Sequence, residues 1–360
     1  MDNRIKDIFF QLLRLGLWGH GSLIYELLTE EDWIKIRTHS INHTVEGIIY
    51  DSFPFLTEDQ LPPQDLRLKW AIRIDQIERH NVKMNAVIAE QFTAFDKYGL
   101  SPILQKGQGI ACLYRVPLHR TCGDIDWYFE DSGYDKARGY LNKIEQSFYF
   151  TAGFSLEYES QNIHIEHHKK LFDIRSPLKR KFLSKIEKDY KKTQQEISIN
   201  NVPIRLLAAE LQLLQVNAHI LKHLISFGIG LRQFCDSARL YYATCDQINP
   251  IALRKIYKNA GILKWVHLLH KYLVEVIGLP HDSLPFPYPM DIKINWFDNE
   301  VWNSGNFGFH DQRFENGKVI SLISVYPEGS KRLWNNFRRY LKYAPQEVLF
   351  FPIVHTFSKF

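Results

Sequence analysis

Cysteine is scarce in this 360-residue sequence, which contains only four: Cys112, Cys122, Cys235 and Cys245. None of them forms a Cys-x-x-Cys pair, so the sequence indicates neither a zinc ribbon nor a disulfide framework. Long apolar runs are also missing, because no uninterrupted stretch approaches the roughly 20 residues needed to cross a bilayer. The N-terminal segment lacks the apolar centre of a signal peptide. We therefore expect free thiols in a cytoplasmic protein that has no membrane segment.

A strong charge of either sign is absent too. The 45 basic and 40 acidic residues leave a net charge of +5, and 45% of the residues are hydrophobic. This composition is typical of a folded globular chain. The mild positive charge is compatible with a nucleoside triphosphate ligand, but it is too diffuse to indicate DNA or RNA. Neither a P-loop nor the His-Arg-Asp motif of kinases occurs, so any phosphates must be bound by other means.

Two aspartates open an apolar run in the first half of the chain, and the pattern predicts a strand over residues 124–129. Because side chains alternate along a strand, Asp124 and Asp126 point to the same face, about 6–7 Å apart. Two carboxylates at that distance repel each other unless a cation lies between them. Hard oxygen ligands of this kind suit Mg²⁺, which often takes further ligands from substrate phosphates. Metal-assisted phosphoryl chemistry is therefore the leading hypothesis.

A strand-to-helix turn precedes the aspartates. A short apolar strand at 102–105 is followed by Lys106 and Gly107, and then by a predicted helix over 108–115. A glycine lets backbone N–H groups approach a phosphate, and the N-terminus of a helix favours anions. Lys106 adds positive charge. The turn is thus either part of a phosphate-binding site or a simple connection between two elements.

A second polar strand follows later in the chain. Residues 155–158 and 163–167 alternate as the two strands of a predicted hairpin. On the second of them His164, Glu166 and His168 share one face, while isoleucines occupy the other. Glu166 is thus a third acid that can join the aspartate pair. The His-x-Glu-x-His pattern also invites a zinc site, which is the basis of an alternative hypothesis, a zinc-dependent hydrolase.

The order of these motifs resembles a known family. Lys106-Gly107, a helix and then Arg120-x-x-Gly-Asp124-Ile-Asp126 are similar to the polymerase-beta-type nucleotidyltransferase superfamily, and more closely to its bacterial branch of largely uncharacterised nucleotidyltransferases. The resemblance implies an α+β fold, in which a small mixed β-sheet core with helices is embedded in a largely helical chain. It also implies an enzyme that moves an NMP from a metal-bound NTP to a hydroxyl of an unknown acceptor and releases pyrophosphate.

The resemblance further implies roles for individual residues. Asp124 and Asp126 bridge the metal ions, Mg²⁺ or Mn²⁺, and Glu166 is the third metal ligand and a candidate base. These three acids are the predicted catalytic and metal-binding set. The nucleotide-binding candidates are chosen for positive charge, for a place in the strand-to-helix turn or for a position on a later element. They are Lys106, Gly107, Arg120, His168, His223 and Arg232.

Several of these candidates have an alternative structural role. Arg120 either pairs with one of the two aspartates or reaches the triphosphate with its planar guanidinium. His219 and His223 lie four residues apart on one helix face, and Arg232 and Asp236 repeat that spacing. In the structural alternative they are satisfied interhelical histidines and an ion pair within one helix. In the functional alternative they belong to a wall of the nucleotide cleft.

Changes in composition divide the chain into four predicted parts. A helical N-terminal subdomain (1–95) precedes the catalytic core (96–176), and a helical domain facing the cleft (177–282) and an aromatic and basic C-terminal segment (283–360) follow. Enzymes of the superfamily modify proteins, RNA or small molecules, so the acceptor stays open, as does the oligomeric state. A further alternative is a non-catalytic module that binds nucleotides or polyanions.

Overall fold

The computed structural model describes residues 3–21, 27–130, 132–151, 155–309, 311, 313 and 327–357. The part before the sheet is helical, as the spacing of its apolar residues predicts. The α-helices described there are α1 (Asn3–Trp18), α2 (Glu30–Asn42), α3 (Glu46–Tyr50) and α4 (Gln64–Lys97). Across all the described ranges, no helix combines the length and the apolar character needed to cross a bilayer.

The long helix α4 joins two hydrophobic cores. Trp70, in its first half, packs edge-on against Trp33 of α2 in the larger, helical core. Phe95, near its end, packs against Trp127 and Phe129 in a second core built on the sheet. The predicted boundary after Phe95 therefore falls inside α4. The division of the chain into four parts stays a prediction.

A five-stranded mixed sheet follows α4. Its strands are β1 (Pro102–Gln105), β2 (Asp124–Phe129), β3 (Tyr149–Thr151), β4 (Ser155–Ser160) and β5 (Ile163–His168). They are arranged in the order β1-β2-β5-β4-β3, in which β2 and β5 run parallel and the other neighbours are antiparallel. The connections include α5 (Gly107–Ala111) between β1 and β2, and α6 (Gly133–Lys143) between β2 and β3. This small mixed sheet within a largely helical chain confirms the predicted α+β class.

The two faces of the sheet differ in polarity because apolar and polar residues alternate along its central strands. Ile125, Trp127 and Phe129 of β2 are buried in the core that also contains residues of α4 and α6. The intervening residues Asp124 and Asp126 point to the opposite face. The apolar face thus anchors the sheet on the helices, and the polar face carries the groups capable of chemistry.

Helices dominate the rest of the chain. They are α7 (Arg180–Asp189), α8 (Ala209–Ser226), α9 (Leu231–Thr244), α10 (Pro250–Ala260), α11 (Leu263–Tyr272), α12 (Asn295–Ser304), α13 (Pro327–Tyr340) and α14 (Pro345–Phe357). Of these, α8 and α9 matter most for the site, because they supply the later nucleotide-binding candidates. Most residues of both helices are buried, and their apolar residues belong to the larger core.

A hairpin of two strands, β6 (Gln195–Ile199) and β7 (Val202–Leu206), interrupts these helices. It lies in the region 177–282, which the sequence analysis predicted to be helical. Its two-residue turn, Asn200-Asn201, has positive φ angles of 49° and 63°, as the type I′ turn of a tight hairpin requires. The hairpin packs against β1 and α4. An asparagine pair between two alternating apolar runs was the signal that could have revealed it.

Candidate active site

The parallel pairing of β2 with β5 brings the acids of both strands together. Asp126 lies opposite Glu166 in the register, and Asp124 lies opposite His164. Residues opposite each other share a face of the sheet, so the two aspartates and Glu166 point the same way. The side chain of Glu166 is 23% exposed, which leaves this face accessible to solvent. The structure therefore places the three predicted acids on one accessible face.

Asp126 is the most buried of these acids and the one with the closest cationic partners. His168 directs Nε2 to its Oδ1 at 2.5 Å, and the ammonium of Lys106 is 3.6 Å from its Oδ2. Burial raises the pKa of Asp126, but the charges of Lys106 and His168 outweigh burial and hold that pKa well below its usual range. Asp126 is therefore ionised at physiological pH. The contact also raises the pKa of His168, against the effect of its burial.

The turn that carries Lys106 has an uncommon backbone. Lys106 and Gly107 have φ angles of 46° and 40°, in the left-handed region that residues with a side chain rarely adopt. A Cβ on Gly107 would lie 3.5 Å from the carbonyl oxygen of Asp124, which is an ordinary contact. Glycine is therefore favoured here by the positive φ angle and not by a lack of space for a side chain. Burial lowers the pKa of Lys106, but the surrounding carboxylates, Asp126 first, raise it above its ordinary value.

The helix after this turn is shorter than the predicted one. α5 ends at Ala111 and not near residue 115, because the N–H groups of Leu113 and Tyr114 bond to carbonyls three residues earlier and tighten the chain. A helix of five residues has only a small dipole at its N-terminus. The expected contribution of a helix end to phosphate binding is therefore small, and Lys106 is the stronger candidate.

Glu166 lies between two histidines. Its Oε1 is 3.5 Å from His164 Nε2, and its Oε2 is 3.4 Å from His168 Nε2. Burial and the charge of Asp126 raise the pKa of Glu166. A carboxylate with a raised pKa accepts a proton near neutral pH more readily than one that is held ionised. Glu166 is therefore better suited to be a base than Asp126.

Two groups of side chains in the described ranges have the spacing of metal ligands. Asp126, Glu166 and His168 form one group, and Glu157, His164 and Glu166 form the other. The ligand atoms within each group all lie within 4.8 Å of one another. Carboxylate oxygens and imidazole nitrogens are ligands of divalent metal ions in proteins. The side chains around Glu166 therefore fit a divalent ion.

Asp124 lies beside these groups but belongs to neither of them, as far as the described residues show. Of the three acids expected to converge, Asp126 and Glu166 lie at the spacing of metal ligands. Asp124 does not join them, because it is two residues away from Asp126 along β2. The charge of Asp126 and then burial raise the pKa of Asp124, and the charges of Lys106 and Arg232 oppose that rise. Asp124 therefore adds negative charge at the edge of the site, which Lys106 and Arg232 offset only in part.

The two histidines that flank Glu166 on the polar face of β5, His164 and His168, do not share one group. They are four residues apart, which corresponds to about 13 Å along an extended strand. Each faces a different oxygen of Glu166. The single zinc site that the pattern of His164, Glu166 and His168 invited is therefore not formed in the part of the chain that the structure describes.

Arg120 forms an ion pair, but with a partner other than the two aspartates of β2. Its guanidinium donates to both carboxylate oxygens of Asp236, at 2.7 and 2.6 Å, and the Tyr114 hydroxyl donates to the same carboxylate at 2.6 Å. The side chains of Arg120 and Asp236 are each only 5% exposed. The pair fastens the segment before β2 to α9. Arg120 is thus not brought into the group around Asp126.

Arg232 of α9 contacts the segment that leads into β2. It donates to the Thr121 carbonyl at 2.5 Å, and its charge lowers the pKa of Asp124. The ion pair expected between Arg232 and Asp236, four residues apart on α9, is replaced by the pair of Asp236 with Arg120. Arg232 therefore ties α9 to the segment before β2, and its charge acts on Asp124.

His223 of α8 is held by aromatic contacts. Its ring centroid is 4.5 Å from that of His219 and 4.8 Å from that of Phe307. Burial, followed by the charges of His219 and Lys222, keeps the pKa of His223 well below its ordinary value. The ring is therefore neutral at physiological pH, which suits stacking or hydrogen bonding better than neutralising a phosphate.

An acid that the sequence analysis missed, Asp173, lies on the loop after β5. It accepts hydrogen bonds from His219 Nδ1 at 2.7 Å and from Lys222 Nζ at 2.8 Å, both on α8. Burial raises the pKa of Asp173, but these partners hold it well below its usual range. Among the charges that raise the pKa of Lys106, that of Asp173 follows Asp126. No motif marks Asp173, since its partners are more than forty residues away in sequence.

The sequence matches one protein family over most of its length. The family described as uncharacterised nucleotidyltransferase matches residues 29–278. No curated protein matches the chain. Among solved structures, an antigenic nucleotidyltransferase-like protein from Paracoccidioides brasiliensis is similar, with a TM-score of 0.32 and 14% identity over 44% of this chain and 74% of that chain. A likeness that weak supports no inference about this chain. The family match includes both acid-bearing strands together with α8 and α9, and the chain therefore belongs to the family of uncharacterised nucleotidyltransferases.

Proposed function

We propose that the protein transfers an NMP from a metal-bound NTP to a hydroxyl of an acceptor and releases pyrophosphate. Membership of the family supports nucleotidyl transfer in general. The observation that carries the specific proposal is the pairing of Asp126 with Glu166 across β2 and β5, at the spacing of metal ligands and on an accessible face. The acceptor is a protein, an RNA or a small molecule.

The reaction needs an activated oxygen and a neutralised leaving group. The acceptor oxygen bonds to the α-phosphorus while the bond from that phosphorus to the oxygen bridging to the β-phosphate breaks, and pyrophosphate leaves with the electron pair. The hydroxyl proton passes to Glu166, whose raised pKa suits a base near neutral pH. Asp126 and Glu166, with Asp124 beside them, would hold the Mg²⁺ or Mn²⁺ that neutralises the triphosphate.

Lys106 is the residue best placed to contact the triphosphate. Its ammonium lies 3.6 Å from Asp126 and stays charged, because the acids around it raise its pKa. The left-handed turn at Gly107 leaves the backbone without a side chain at the point where phosphate would approach. His168 orients Asp126 through their 2.5 Å contact. These side chains would bind and align the phosphates above β2.

The other end of the nucleotide is assigned to the helices. Arg232 of α9 carries its positive charge toward Asp124, and His223 of α8 offers a neutral ring next to Phe307. We assign these two side chains to contacts with the ribose and the base. Arg120, paired with Asp236, is assigned a supporting role and no contact with phosphate.

The test is the transfer of label from α-labelled NTPs. Each NTP is incubated with Mg²⁺ or Mn²⁺, the protein, and acceptors of all three classes, and released pyrophosphate is measured in parallel. Wild type is compared with Asp126→Asn and with Asp135→Asn, a matched control whose exposed carboxylate lies on α6. We expect wild type and the control to transfer label equally, and Asp126→Asn to be slower by about a thousandfold, since it loses an ion-holding charge.

The result would contradict the proposal if Asp126→Asn labelled acceptors as well as wild type. A second outcome would favour the non-catalytic module. In that case all three proteins would bind NTP, none would release pyrophosphate, and the substitution at Asp126 would leave NTP affinity unchanged.

A further inference from the structure

The two histidines that flank Glu166 make different contacts. His168 Nε2 is 2.5 Å from Asp126, which is a direct and short hydrogen bond. His164 Nε2 instead lies almost midway between two carboxylates, 3.4 Å from Glu157 Oε2 and 3.5 Å from Glu166 Oε1. Hydrogen bonds between these groups are normally about 2.7–2.9 Å long. His164 Nε2 therefore faces two oxygens at a distance longer than a charge-assisted hydrogen bond.

Those distances match the spacing of ligands around a metal ion. Nitrogen and oxygen ligands lie about 2.0–2.2 Å from Zn²⁺, so two of them at a tetrahedral angle are about 3.4 Å apart. The oxygens of Glu157 and Glu166 and Nε2 of His164 all lie within 4.8 Å of one another. An ion between them needs only small movements of these side chains.

The second ring nitrogen of His164 is held from the other side. His164 Nδ1 is 3.3 Å from Glu159 Oε1. A carboxylate that accepts from one imidazole nitrogen fixes the tautomer and leaves the other nitrogen free to bind a metal. Desolvation and then the carboxylate of Glu157 raise the pKa of Tyr149 on β3. An outer partner that orients His164 is thus present on the neighbouring strand β4.

The same place carries a charge arrangement that costs free energy without a cation. Glu157 and Glu166 are direct partners in the antiparallel register of β4 and β5. Like charges at opposite positions of two strands destabilise a sheet. The side chains of Glu157, His164 and Glu166 are 12%, 28% and 23% exposed, so an ion can reach them from solvent.

We propose that Glu157, His164 and Glu166 bind a divalent ion of the zinc type at a second site next to the one assigned to Asp126. One imidazole nitrogen and two carboxylate oxygens form a ligand set that Zn²⁺ prefers over Mg²⁺, and water completes the coordination. Only Glu166 is shared with the proposed reaction, through its other oxygen. Zinc at this site would fix the orientation of Glu166 toward Asp126.

The competing explanation is a proton. A protonated His164 would offset the charges of Glu157, Glu159 and Glu166 without any ion. The two explanations predict different binding. A metal would displace the proton from His164, and one ion would be bound per chain.

The test measures the ion itself. Chelator-stripped full-length protein is dialysed against micromolar Zn²⁺ in the presence of millimolar Mg²⁺, which occupies sites made of oxygen alone, and bound zinc is counted. Co²⁺ is then used in place of Zn²⁺, because its visible absorption reports an imidazole-containing site of low coordination number. The variants are His164→Ala, Glu157→Gln and Glu159→Gln, and the matched control is His281→Ala, an exposed histidine outside the site. Thermal unfolding of each stripped variant checks that it folds as wild type does.

We expect one zinc ion per wild-type chain and per control chain. His164→Ala and Glu157→Gln should weaken zinc binding by more than about a hundredfold, and Glu159→Gln by about tenfold to a hundredfold, as expected for the loss of an orienting partner. Wild type that binds no zinc, or His164→Ala that binds zinc as wild type does, would overturn the proposal. Folded variants that lose the ion support it.

The test is independent of nucleotidyl transfer. Asp126→Asn should keep the zinc ion while it loses transfer. Zinc that is lost in Asp126→Asn but kept in His164→Ala would belong to Asp126, Glu166 and His168, which would end this proposal and leave the proposed function standing. If the protein binds zinc in this way but transfers no nucleotide, the zinc proposal would stand and the proposed function would fail.

Discussion

Two clusters of charged side chains form around residues just before and within β2. In the structural cluster, Arg120 donates to both oxygens of Asp236, and the Tyr114 hydroxyl completes the shell. In the acid cluster, on the polar face of the sheet, Asp126 and Glu166 lie with Lys106 and His168, and Asp124 is beside them. Members of both clusters have shifted pKa values. A shifted pKa alone therefore does not separate a functional cluster from a structural one.

The two clusters differ in how well their charges are balanced and in how far solvent can reach them. The structural cluster has one cation for one anion, and its charged side chains are 5% exposed. The acid cluster has more carboxylates than its cations neutralise, since the pKa values of Asp124 and Glu166 are both raised while that of Asp126 is lowered. Unbalanced negative charge that solvent can reach is what a metal ion and its phosphate ligand would complete.

The largest expected effect breaks the acid cluster at Glu166. Glu166→Gln should lower kcat/KM for nucleotidyl transfer by about a thousandfold, or about 4 kcal/mol, because the base and one ion-holding charge are lost together. The melting temperature should stay the same or rise, because the raised pKa of Glu166 means that its charge is unfavourable in the folded protein.

The measurement pairs steady-state kinetics with thermal unfolding in the absence of added metal. Glu31→Gln, which changes a carboxylate that is 77% exposed, is the matched control. Full activity in Glu166→Gln would remove Glu166 from the proposed mechanism. A fall in both activity and melting temperature would mean that Glu166 is structural, like Asp236.

The next effect breaks the structural cluster. Asp236→Asn should lower the free energy of unfolding by about 3–4 kcal/mol, because it leaves the guanidinium of Arg120 buried without its counter-charge. Chemical unfolding measures this value, with Asp246→Asn, an exposed aspartate just beyond α9, as control. Adding Arg120→Met to Asp236→Asn should restore part of the loss, since the unpaired charge is then gone. A change below about 1 kcal/mol would mean that the pair contributes little.

These two clusters also show how far the sequence alone can lead. Alternation along β2 and β5 was enough to predict which side chains share a face, and the structure places Asp124, Asp126, Glu166 and His168 accordingly. Alternation shows which face of the sheet a side chain points to, but it does not show which strand lies next to it. The parallel pairing that sets Asp126 against Glu166 could only be inferred from the family resemblance.

The partners of the charged residues were harder to predict. Arg120 and Asp236 are 116 positions apart, and Asp173 and Lys222 are 49 apart. Local spacing favoured a pair of Arg232 with Asp236 on one helix, but a buried bidentate contact with Arg120 formed in its place. Pairing over such distances depends on how the helices pack on the sheet, and no local pattern encodes that packing.

A third prediction sharpens the comparison through a cation of the acid cluster. Lys106→Met should raise the KM for NTP by about tenfold to a hundredfold, the value of one hydrogen bond to a charged group. Because Lys106 lowers the pKa of Asp126, its loss should also raise that pKa toward the range in which Glu166 titrates, so kcat should fall more steeply on the acid side of the profile. Kinetics across pH measure both effects.

Lys106→Arg is the matched variant for this prediction, since it keeps the charge on a longer side chain. It should recover the acid limb of the pH profile more fully than the KM. Unchanged KM and an unchanged profile in Lys106→Met would mean that the ammonium contacts neither the triphosphate nor Asp126 in solution.

The smallest effect concerns the other cation, His168. Its pKa is raised by Asp126, so the pair stabilises the folded protein fully below the unfolded pKa of histidine, while Asp126 is ionised, and the stabilisation is lost as pH rises through the folded pKa. The free energy of unfolding of wild type should therefore exceed that of His168→Gln by about 1 kcal/mol near pH 6, and by less near pH 9. Chemical unfolding at both values measures the difference.

The same difference at both pH values would mean that His168 is neutral and contributes by packing, as a member of the structural cluster would. A difference that shrinks with pH instead shows that the acid cluster depends on a titrating cation, which Arg120 in the structural cluster does not provide.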